Sequence, residues 1–357
     1  MFFSLSCFFI QDNNLNTYFE NIEYIDILEY ILYIDCHIHI HTYIYIHTYI
    51  NNKNCNCYKE TYNNHLYNQR YMNFQRHPSS LHQGGYGANL TSVQLVSVAD
   101  DHNPKCRNAM EDAHVFIDGF GKNPKQSYFG VYDGHGGRAI VEYLEKYLHQ
   151  NFEKEILDTN AKTYKEIINA FETSFLLTDI QTAKANLAVS GSTAIVNFIQ
   201  VDDATGTKHL HTANCGDARS VLSRNGVAIR LSHDHKASDI VEKNRIEKSG
   251  GFILRNRVLG VLAVSRSFGD HSLKQFVVST PYVKSMELTE DDEFLILACD
   301  GVWDVMSDQE VVDFVKVYSD SNGGNTNEKF DLIARALVDE ALKRGSTDNI
   351  TAYVVKL

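Results

Sequence analysis

From about residue 91 onward, the chain carries short apolar runs that follow one another with few helical patterns between them. Each run has the length of a β-strand and is rich in the β-branched and aromatic residues that strands favour. The runs span residues 92–98, 114–118, 128–132, 193–201, 209–213, 220–223, 227–231, 282–288, 294–299 and 350–356. A chain with this pattern folds mainly through the pairing of strands.

Helical spacing of apolar residues marks segments that lie between blocks of strands. These segments are 137–156, 162–187, 238–248, 307–315 and 329–343. Ser307 and Glu310 have the spacing of a capping box at a helix start. Asn225-Gly226 joins two alternating arms and predicts a type I′ hairpin. Helix pairs between blocks of strands are typical of antiparallel sheets faced by helices, so the sequence predicts the α+β class.

The first 90 residues are a different kind of polypeptide from the rest. They hold 12 of the 20 tyrosines, 7 of the 16 histidines and 4 of the 7 cysteines. We therefore predict a low-complexity or disordered segment over 1–90 and one catalytic domain over 91–357. The second segment is long enough for a single domain with a substantial core.

Residues 37–50 read HIHIHTYIYIHTYI, in which His or Tyr alternates with Ile or Thr. The alternation predicts a strand, and His37, His39 and His41 on one face would be zinc or copper ligands. The alternative is low complexity, because codons of a CA/TA simple repeat are able to specify almost the whole stretch. Our hypothesis is that the residues before Met72 are translated non-coding DNA and that Met72 is the natural start.

Charge and apolar patterning exclude several classes of protein. A formal charge of −12 is the wrong sign for holding nucleic acid by its phosphates. No stretch is apolar over the roughly 18 residues that a membrane helix needs, and MFFSLSCFFI lacks the basic region of a signal peptide. The odd number of cysteines does not resemble a disulfide framework. We expect a protein of the cytoplasm, the nucleus or both, with no membrane or nucleic-acid partner.

Acidic residues stand at the ends of the predicted strands. Asp133 and Asp300 each follow a strand, whereas Glu111, Asp112 and Asp348 precede one. In antiparallel neighbours, the end of one strand lies beside the start of the next, so these carboxylates are expected at one edge. Clustered carboxylates repel each other unless a cation neutralises them. Oxygen ligands select Mg²⁺, Mn²⁺ or Ca²⁺.

Each of these acids also has a plain structural explanation. An Asp-Gly pair after a strand is usually a turn, and a single Arg107 is usually a surface residue. The segment DGHGG at 133–137 adds His135 and glycines that let a backbone approach a ligand closely. Arg107, four residues before Glu111, offers a planar fork suited to phosphate.

Seven segments together resemble one family. They are CRNAMEDAH (106–114), YFGVYDGHGG (128–137), GSTAIV (191–196), ANCGDARSVLSRNG (213–226), GVLAVSRSFGD (260–270), FLILACDGVWDVM (294–306) and STDNITAYVV (346–355). Their order and spacing are similar to those of metal-dependent protein phosphatases, the protein phosphatase 2C family, and most like its fungal type. The resemblance covers residues 91–357.

The resemblance implies a sandwich of two antiparallel β-sheets flanked by α-helices, an α-β-β-α arrangement, with two Mg²⁺ or Mn²⁺ ions at one end. Asp133 would bridge both ions. The other implied ligands, direct or through water, are Glu111, Asp300, Asp348 and the Gly134 carbonyl. Asp112 would support the ligands from behind.

The resemblance also implies an activity, which is hydrolysis of phosphoserine and phosphothreonine by a metal-activated water without a covalent intermediate. Arg107 would hold the phosphate, and His135 would protonate the leaving oxygen; alternatively, His135 only orients Asp133. Substrates would be phosphoproteins, with stress-activated kinases as candidates by family analogy, and the protein would be a monomer. The competing hypothesis is a catalytically silent relative that binds a partner.

Two departures from the family pattern stand out. Many relatives carry an Asp before the GSTA glycine that helps to bind a third metal, whereas this chain has Ala188, Val189 and Ser190, which puts a third site in doubt. Asp270 is a neighbouring acid without an assigned role. Residues 233–257 occupy the position of the family's variable flap, and their lysines and arginines are candidates either for receiving an acidic phosphoprotein or for a solvated surface.

Overall fold

The computed structural model describes the backbone of residues 83–86 and residues 90–357, except 188 and 321–329. The predicted strand at 37–50 and the proposed start at Met72 lie outside the described residues. The boundary near residue 90 stays a prediction. The first described strand, β1 (Gln83–Tyr86), precedes this boundary and pairs with β2 (Leu95–Asp101).

Two large antiparallel sheets form the centre of the molecule. The first contains, in spatial order, β1, β2, β16 (Ile350–Lys356), β15 (Asp292–Ala298), β9 (Arg219–Arg224) and β10 (Val227–Arg230). The second contains β14 (Tyr282–Glu287), β8 (Lys208–Cys215), β7 (Ala194–Val201), β4 (Gln126–Tyr132) and β3 (Ala113–Asp118). All ten predicted strand runs lie in these sheets.

Two small sheets complete the strand inventory of the described residues. One contains β13 (Phe268–Gly269), β6 (Gly191–Ser192) and β5 (Gly134–His135), and the other pairs β11 (Ile253–Leu254) with β12 (Arg257–Val258). The sequence pattern did not predict these strands, because two residues are too few to show alternation. The three-stranded sheet matters for function because it carries His135.

Six α-helices are present in the described part of the chain. They are α1 (Ala139–Thr159), α2 (Tyr164–Lys184), α3 (Ile240–Lys248), α4 (Asp300–Trp303), α5 (Asp308–Asp320) and α6 (Ile333–Lys343). Five of them lie where helical spacing predicted them, and α4 is too short to show a period. None of the described helices has the length and apolar character to span a membrane.

Three apolar cores define the layers of the fold. Leu297, Tyr353 and Phe129, from the first and second sheets, belong to one core, so the sheets pack face to face. A second core joins the outer face of the second sheet to α1 and α2 and contains Phe152 and Phe171. A third joins the outer face of the first sheet to α5 and α6. The α-β-β-α sandwich predicted from the sequence is confirmed.

The local signals for turns and caps are also confirmed. Asn225 and Gly226 have φ values of 50° and 74°, as a type I′ turn requires, and Val227 pairs with Arg224 across it. At the start of α5, Ser307 N donates to Glu310 Oε2 at 2.9 Å, and Glu310 N donates to Ser307 Oγ at 3.4 Å. These contacts form the predicted capping box.

The strand registers bring the predicted acidic residues to one end of the sandwich. In the second sheet, Ala113 pairs with Tyr132, so Asp112 and Asp133 are neighbours. In the first sheet, Ala298 pairs with Ala352. The end of β15, just before Asp300, therefore lies beside the start of β16, just after Asp348. The same end of the molecule therefore receives acids from both sheets.

Candidate metal centre

Three carboxylates meet at this end of the sandwich. One oxygen each from Asp133, Asp217 and Asp300 lie within 4.8 Å of one another. Asp133 also forms a cluster with Asp112 and Cys299 that meets the same limit. Asp133 is therefore shared between two clusters, of which only the first consists entirely of carboxylates. Its role as a bridge between two ions stays a prediction.

Hydrogen bonds from Ser192 and Thr193 fix the backbone of Asp133. Thr193 N donates to the Asp133 carbonyl at 2.8 Å, and Ser192 Oγ donates to the same carbonyl at 3.2 Å. Asp300 is held at the start of α4 by burial of Val302 and Trp303 and by a hydrogen bond from Trp303 Nε1 to the Ala298 carbonyl at 2.9 Å. Both acids thus stand on rigid parts of the fold.

We call the group formed by Asp133, Asp217 and Asp300 the acidic pit. Its electrostatics disfavour charged carboxylates without a bound cation. Burial and then repulsion from Asp300, Asp112 and Asp217 raise the pKa of Asp133 well above its ordinary value. Burial and repulsion, led by Asp217 and Asp348, raise the pKa of Asp300 in the same direction. A bound cation would remove this cost, because it neutralises the charges that repel.

Asp217 is a member of the cluster that our sequence analysis missed. It lies in the crossover from β8 in the second sheet to β9 in the first, and it is 5% exposed. Burial is the largest cause that raises its pKa to about 6, although Lys236 acts in the opposite direction. The signal was available, since Asp217 follows a strand in the same way as Asp133 and Asp300.

Gly134 lies where the backbone of two segments meets closely. A Cβ atom built on it would overlap the Glu111 carbonyl oxygen and lie 3.2 Å from Val141 Cβ. The position thus excludes a side chain, and the close approach sets the backbone of Glu111 beside the residue that follows Asp133. The role of the Gly134 carbonyl as a ligand stays a prediction.

Glu111 is tied to the loops around the pit. Its Oε1 accepts a hydrogen bond from Gly137 N at 2.6 Å, and its own N–H donates to Asn349 Oδ1 at 2.8 Å. Its carboxylate belongs to neither of the two clusters found among the described residues. The structure therefore places Glu111 next to the pit, and its ligand role stays a prediction.

Asp348 and Arg107 form an ion pair at the edge of the pit. The guanidinium also donates through Nε to the Thr347 carbonyl at 3.1 Å, and the Arg107 side chain remains 42% exposed. Asp348 raises the pKa of Asp133 and Asp300 through its charge, so it lies near them electrostatically. Its carboxylate is not part of either cluster.

Asp112 lies beside Asp133 and Cys299 and is 2% exposed. Thr351 Oγ1 donates to its Oδ2 at 2.8 Å. Burial raises its pKa to about 7, although the hydrogen bonds from Thr351 and Cys299 oppose the shift. Its supporting role stays a prediction.

His135 is displayed by the small three-stranded sheet. In that sheet His135 pairs with Gly191, and Gly191 pairs in turn with Gly269, the residue before Asp270. His135 Nε2 lies 2.7 Å from Asp270 Oδ2. Asp270, to which the sequence assigned no role, is therefore in direct contact with His135, the predicted proton donor.

The flap residues are less available for a partner than their charge indicates. Lys236 Nζ lies 3.0 Å from Asp304 and 3.7 Å from Asp217, so it faces the acidic end of the sandwich. Arg245 pairs with the buried Glu242 and donates to the Phe276 carbonyl. Both cations thus make ion pairs within the fold, and the interpretation of the flap as a contact surface for an acidic protein stays a prediction.

A comparison with known families identifies this arrangement. A model of protein phosphatase 2C matches residues 96–350, which include every residue of the pit. The chain belongs to the protein phosphatase 2C family. The family is metal-dependent, and the clustered acids of this chain are able to bind metal ions.

Two fungal relatives agree with this assignment. Protein phosphatase 2C homolog 1 of Saccharomyces cerevisiae is 40% identical over 273 residues, which cover 73% of this chain and 93% of the relative. The protein of the same name in Schizosaccharomyces pombe is 40% identical over 265 residues, which cover 74% of this chain and 73% of the relative. The predicted resemblance to the fungal type is confirmed, and the chain is a metal-dependent protein serine/threonine phosphatase that acts on phosphoproteins.

A solved structure supports the fold. A phosphatase from a pathogenic strain of Toxoplasma gondii matches with a TM-score of 0.64 at 24% sequence identity. The match covers 78% of this chain and 94% of that one. At this identity the likeness shows the fold alone.

Proposed function

We propose that this protein hydrolyses phosphoserine and phosphothreonine in proteins with two Mg²⁺ or Mn²⁺ ions held in the acidic pit. The observation that carries the proposal is the convergence of Asp133, Asp217 and Asp300 from three separate parts of the chain. Asp133, Asp300 and Asp348 would be ligands, with Glu111 and the Gly134 carbonyl, and Asp112 would orient them.

The chemistry of the donor set favours hard cations. The acidic pit offers carboxylate oxygens, which Mg²⁺ and Mn²⁺ prefer. Of the five groups in the two clusters found among the described residues, four are carboxylates and one is the thiol of Cys299. This predominance of oxygen ligands disfavours a soft-metal site here.

When bound, two such ions lower the pKa of water and neutralise charge on the reacting phosphoryl group. The residues of this chain do the rest. Arg107, at the exposed edge of the pit, would bind the phosphate oxygens through its planar fork. His135 would give a proton to the leaving serine or threonine oxygen as its bond to phosphorus breaks.

A covalent cysteine mechanism has no support in the described residues. Cys215 and Cys299 are buried, and Cys106, although exposed, precedes Arg107 directly rather than at the head of a phosphate-binding loop. Burial also raises the pKa of Cys215 to about 12, so it stays protonated. These features support direct attack by water.

Replacing Arg107 by Ala is expected to weaken the capture of substrate. We expect KM for a phosphothreonine peptide to rise about 10-fold or more and kcat to change much less, since a phosphate-binding charge is lost. Steady-state kinetics with added Mn²⁺ measure both constants. Lys105→Ala removes an exposed cation two residues away and is the matched control. A fall in kcat with unaltered KM would show that Arg107 has another role.

Replacing His135 by Gln tests the proton donor. The variant is expected to lose about 100-fold in kcat on a phosphothreonine peptide, whose leaving alkoxide needs a proton. p-Nitrophenyl phosphate has a stable leaving group, so its kcat is expected to change little. Comparable losses on both substrates would indicate that His135 only orients the neighbouring Asp133.

The finer predictions about partners extend this proposal. Stress-activated kinases are proposed substrates by family analogy, and a monomer located in the cytoplasm, the nucleus or both is the proposed state. The third metal site stays in doubt. Ala188 lies outside the described residues, and the Ser190 carbonyl accepts a hydrogen bond from Asp270 N at 3.0 Å.

A further inference from the structure

Asp270 is placed to act on the proton donor of the reaction and not on the metal ligands. Its Oδ2 lies 2.7 Å from His135 Nε2, and the Asp270 side chain is 11% exposed. Asp270 is absent from both acidic clusters of the described residues. We propose that Asp270 is a positioning residue: it accepts a hydrogen bond from His135 Nε2 and thereby directs His135 Nδ1 to the leaving oxygen. This inference rests on the proposed function.

The loop around Asp270 is built to fix this contact. Asp270 has a left-handed backbone with φ of 45°, and its N–H donates to the Ser190 carbonyl at 3.0 Å. Ser267 Oγ donates to the same oxygen that faces His135, at 2.5 Å. A carboxylate held by two donors and by its own backbone has little freedom to turn away from His135.

Gly191 provides the space in which the pair meets. A Cβ atom built on Gly191 would overlap both Asp270 Oδ2 and His135 Nε2. Its neighbours in the three-stranded sheet are the strands that carry His135 and Gly269. The absence of a side chain here therefore serves the contact between His135 and Asp270 directly.

A buried ion pair supports the same loop from below. Lys274 Nζ lies 3.0 Å from Asp179 Oδ2, and the two side chains are 2% and 0% exposed. Lys274 also donates to the Ser267 carbonyl at 3.0 Å, and Asp179 Oδ1 accepts from Gly269 N at 2.8 Å. The ion pair thus fixes two residues that closely precede Asp270, and removing one partner of such a pair is costly.

In the proposed role, His135 gives up one of its two ring protons and Asp270 takes up none. Asp270 remains a carboxylate throughout and accepts the hydrogen bond from Nε2–H. The proton on Nδ1 passes to the serine or threonine oxygen as the bond between that oxygen and phosphorus breaks. Burial opposes the charge on Asp270, but the hydrogen bonds from His135 and Ser267 hold its pKa below the ordinary value.

Asp270→Asn is the test, because Asn keeps the size of the side chain and tolerates a left-handed backbone. On a phosphothreonine peptide we expect kcat to fall roughly 10- to 100-fold with KM unchanged. On p-nitrophenyl phosphate we expect less than about a 3-fold change, since this leaving group needs no proton. Mn²⁺ affinity measured by calorimetry is expected to match that of the unmodified protein.

A double-mutant cycle separates positioning from a structural role. Asp270→Asn added to His135→Gln is expected to cause no further loss, because its effect passes through His135. Equal losses on both substrates, weaker Mn²⁺ binding, or a further loss in the double variant would overturn the proposal. If His135→Gln itself shows no dependence on the leaving group, the proposed proton donor fails and the role of Asp270 fails with it. If only Asp270→Asn lacks the dependence, the failure is confined to Asp270.

A measurement on the unmodified protein does not depend on how a variant folds. Long-range ¹H–¹⁵N spectra of the Mn²⁺-free protein are expected to show a proton on His135 Nε2. Its hydrogen bond to Asp270 is expected to slow exchange of this proton with water. A neutral ring that carries its proton on Nδ1 alone would contradict the proposal.

Discussion

Asp133→Asn is expected to lower kcat by on the order of 10³-fold or more, because the residue shared by both clusters no longer binds divalent cations. Asp300→Asn is expected to have a similar effect. The losses are measured as kcat on a phosphothreonine peptide at saturating Mn²⁺. Calorimetry on the same samples is expected to show that Mn²⁺ binding is weakened in parallel.

Stability measurements separate this loss from misfolding. Repulsion and burial raise the pKa of Asp133, so its charge is unfavourable in the metal-free fold at neutral pH. Removing that charge is therefore expected to leave the metal-free Tm unchanged or higher. Asp203→Asn, at a side chain that is 81% exposed on the surface, is the matched control and is expected to keep full activity. An Asp133→Asn variant that retains activity would contradict the ligand assignment.

Removal of metal by EDTA is expected to abolish activity, and excess Mn²⁺ or Mg²⁺ is expected to restore it. Since cations relieve repulsion among Asp133, Asp217 and Asp300, metal binding is also expected to raise Tm. At a metal concentration about 100 times Kd, each occupied site adds about 2.7 kcal/mol, or a Tm increase of roughly 5–10 °C per site. Thermal unfolding and phosphopeptide assays in the same buffers measure both effects.

Two outcomes would count against this prediction. Activity that persists in the chelator would exclude the proposed use of metal. An equal rise in Tm on adding metal, in the unmodified protein and in Asp133→Asn alike, would place the bound metal away from the pit. Asp203→Asn again serves as the control, because its response is expected to equal that of the unmodified protein.

Much of the fold was predictable because each local signal agreed with the global arrangement. The ten strand runs, the Asn225-Gly226 turn and the capping box at Ser307 all depend on nearby residues. Antiparallel pairing then required Asp112 to neighbour Asp133 and the strands beside Asp300 and Asp348 to meet. These two pairings followed from strand direction.

The remaining features depend on contacts between distant parts of the chain. Asp217 joins the cluster only because β8 and β9 lie in different sheets and the crossover passes the pit. Asp270 meets His135 through a small sheet of two-residue strands, which carry no periodic signal. Lys236 had the charge of a surface contact, but the fold turns it toward Asp217 and Asp304.

The carboxylates at this end of the sandwich are proposed to bind a pair of divalent cations. Anomalous diffraction at the manganese edge, from crystals grown with Mn²⁺, tests this claim directly. We predict two peaks within ligand distance of Asp133, with Asp300 at one or both. Peaks elsewhere and none beside Asp133 would contradict the claim.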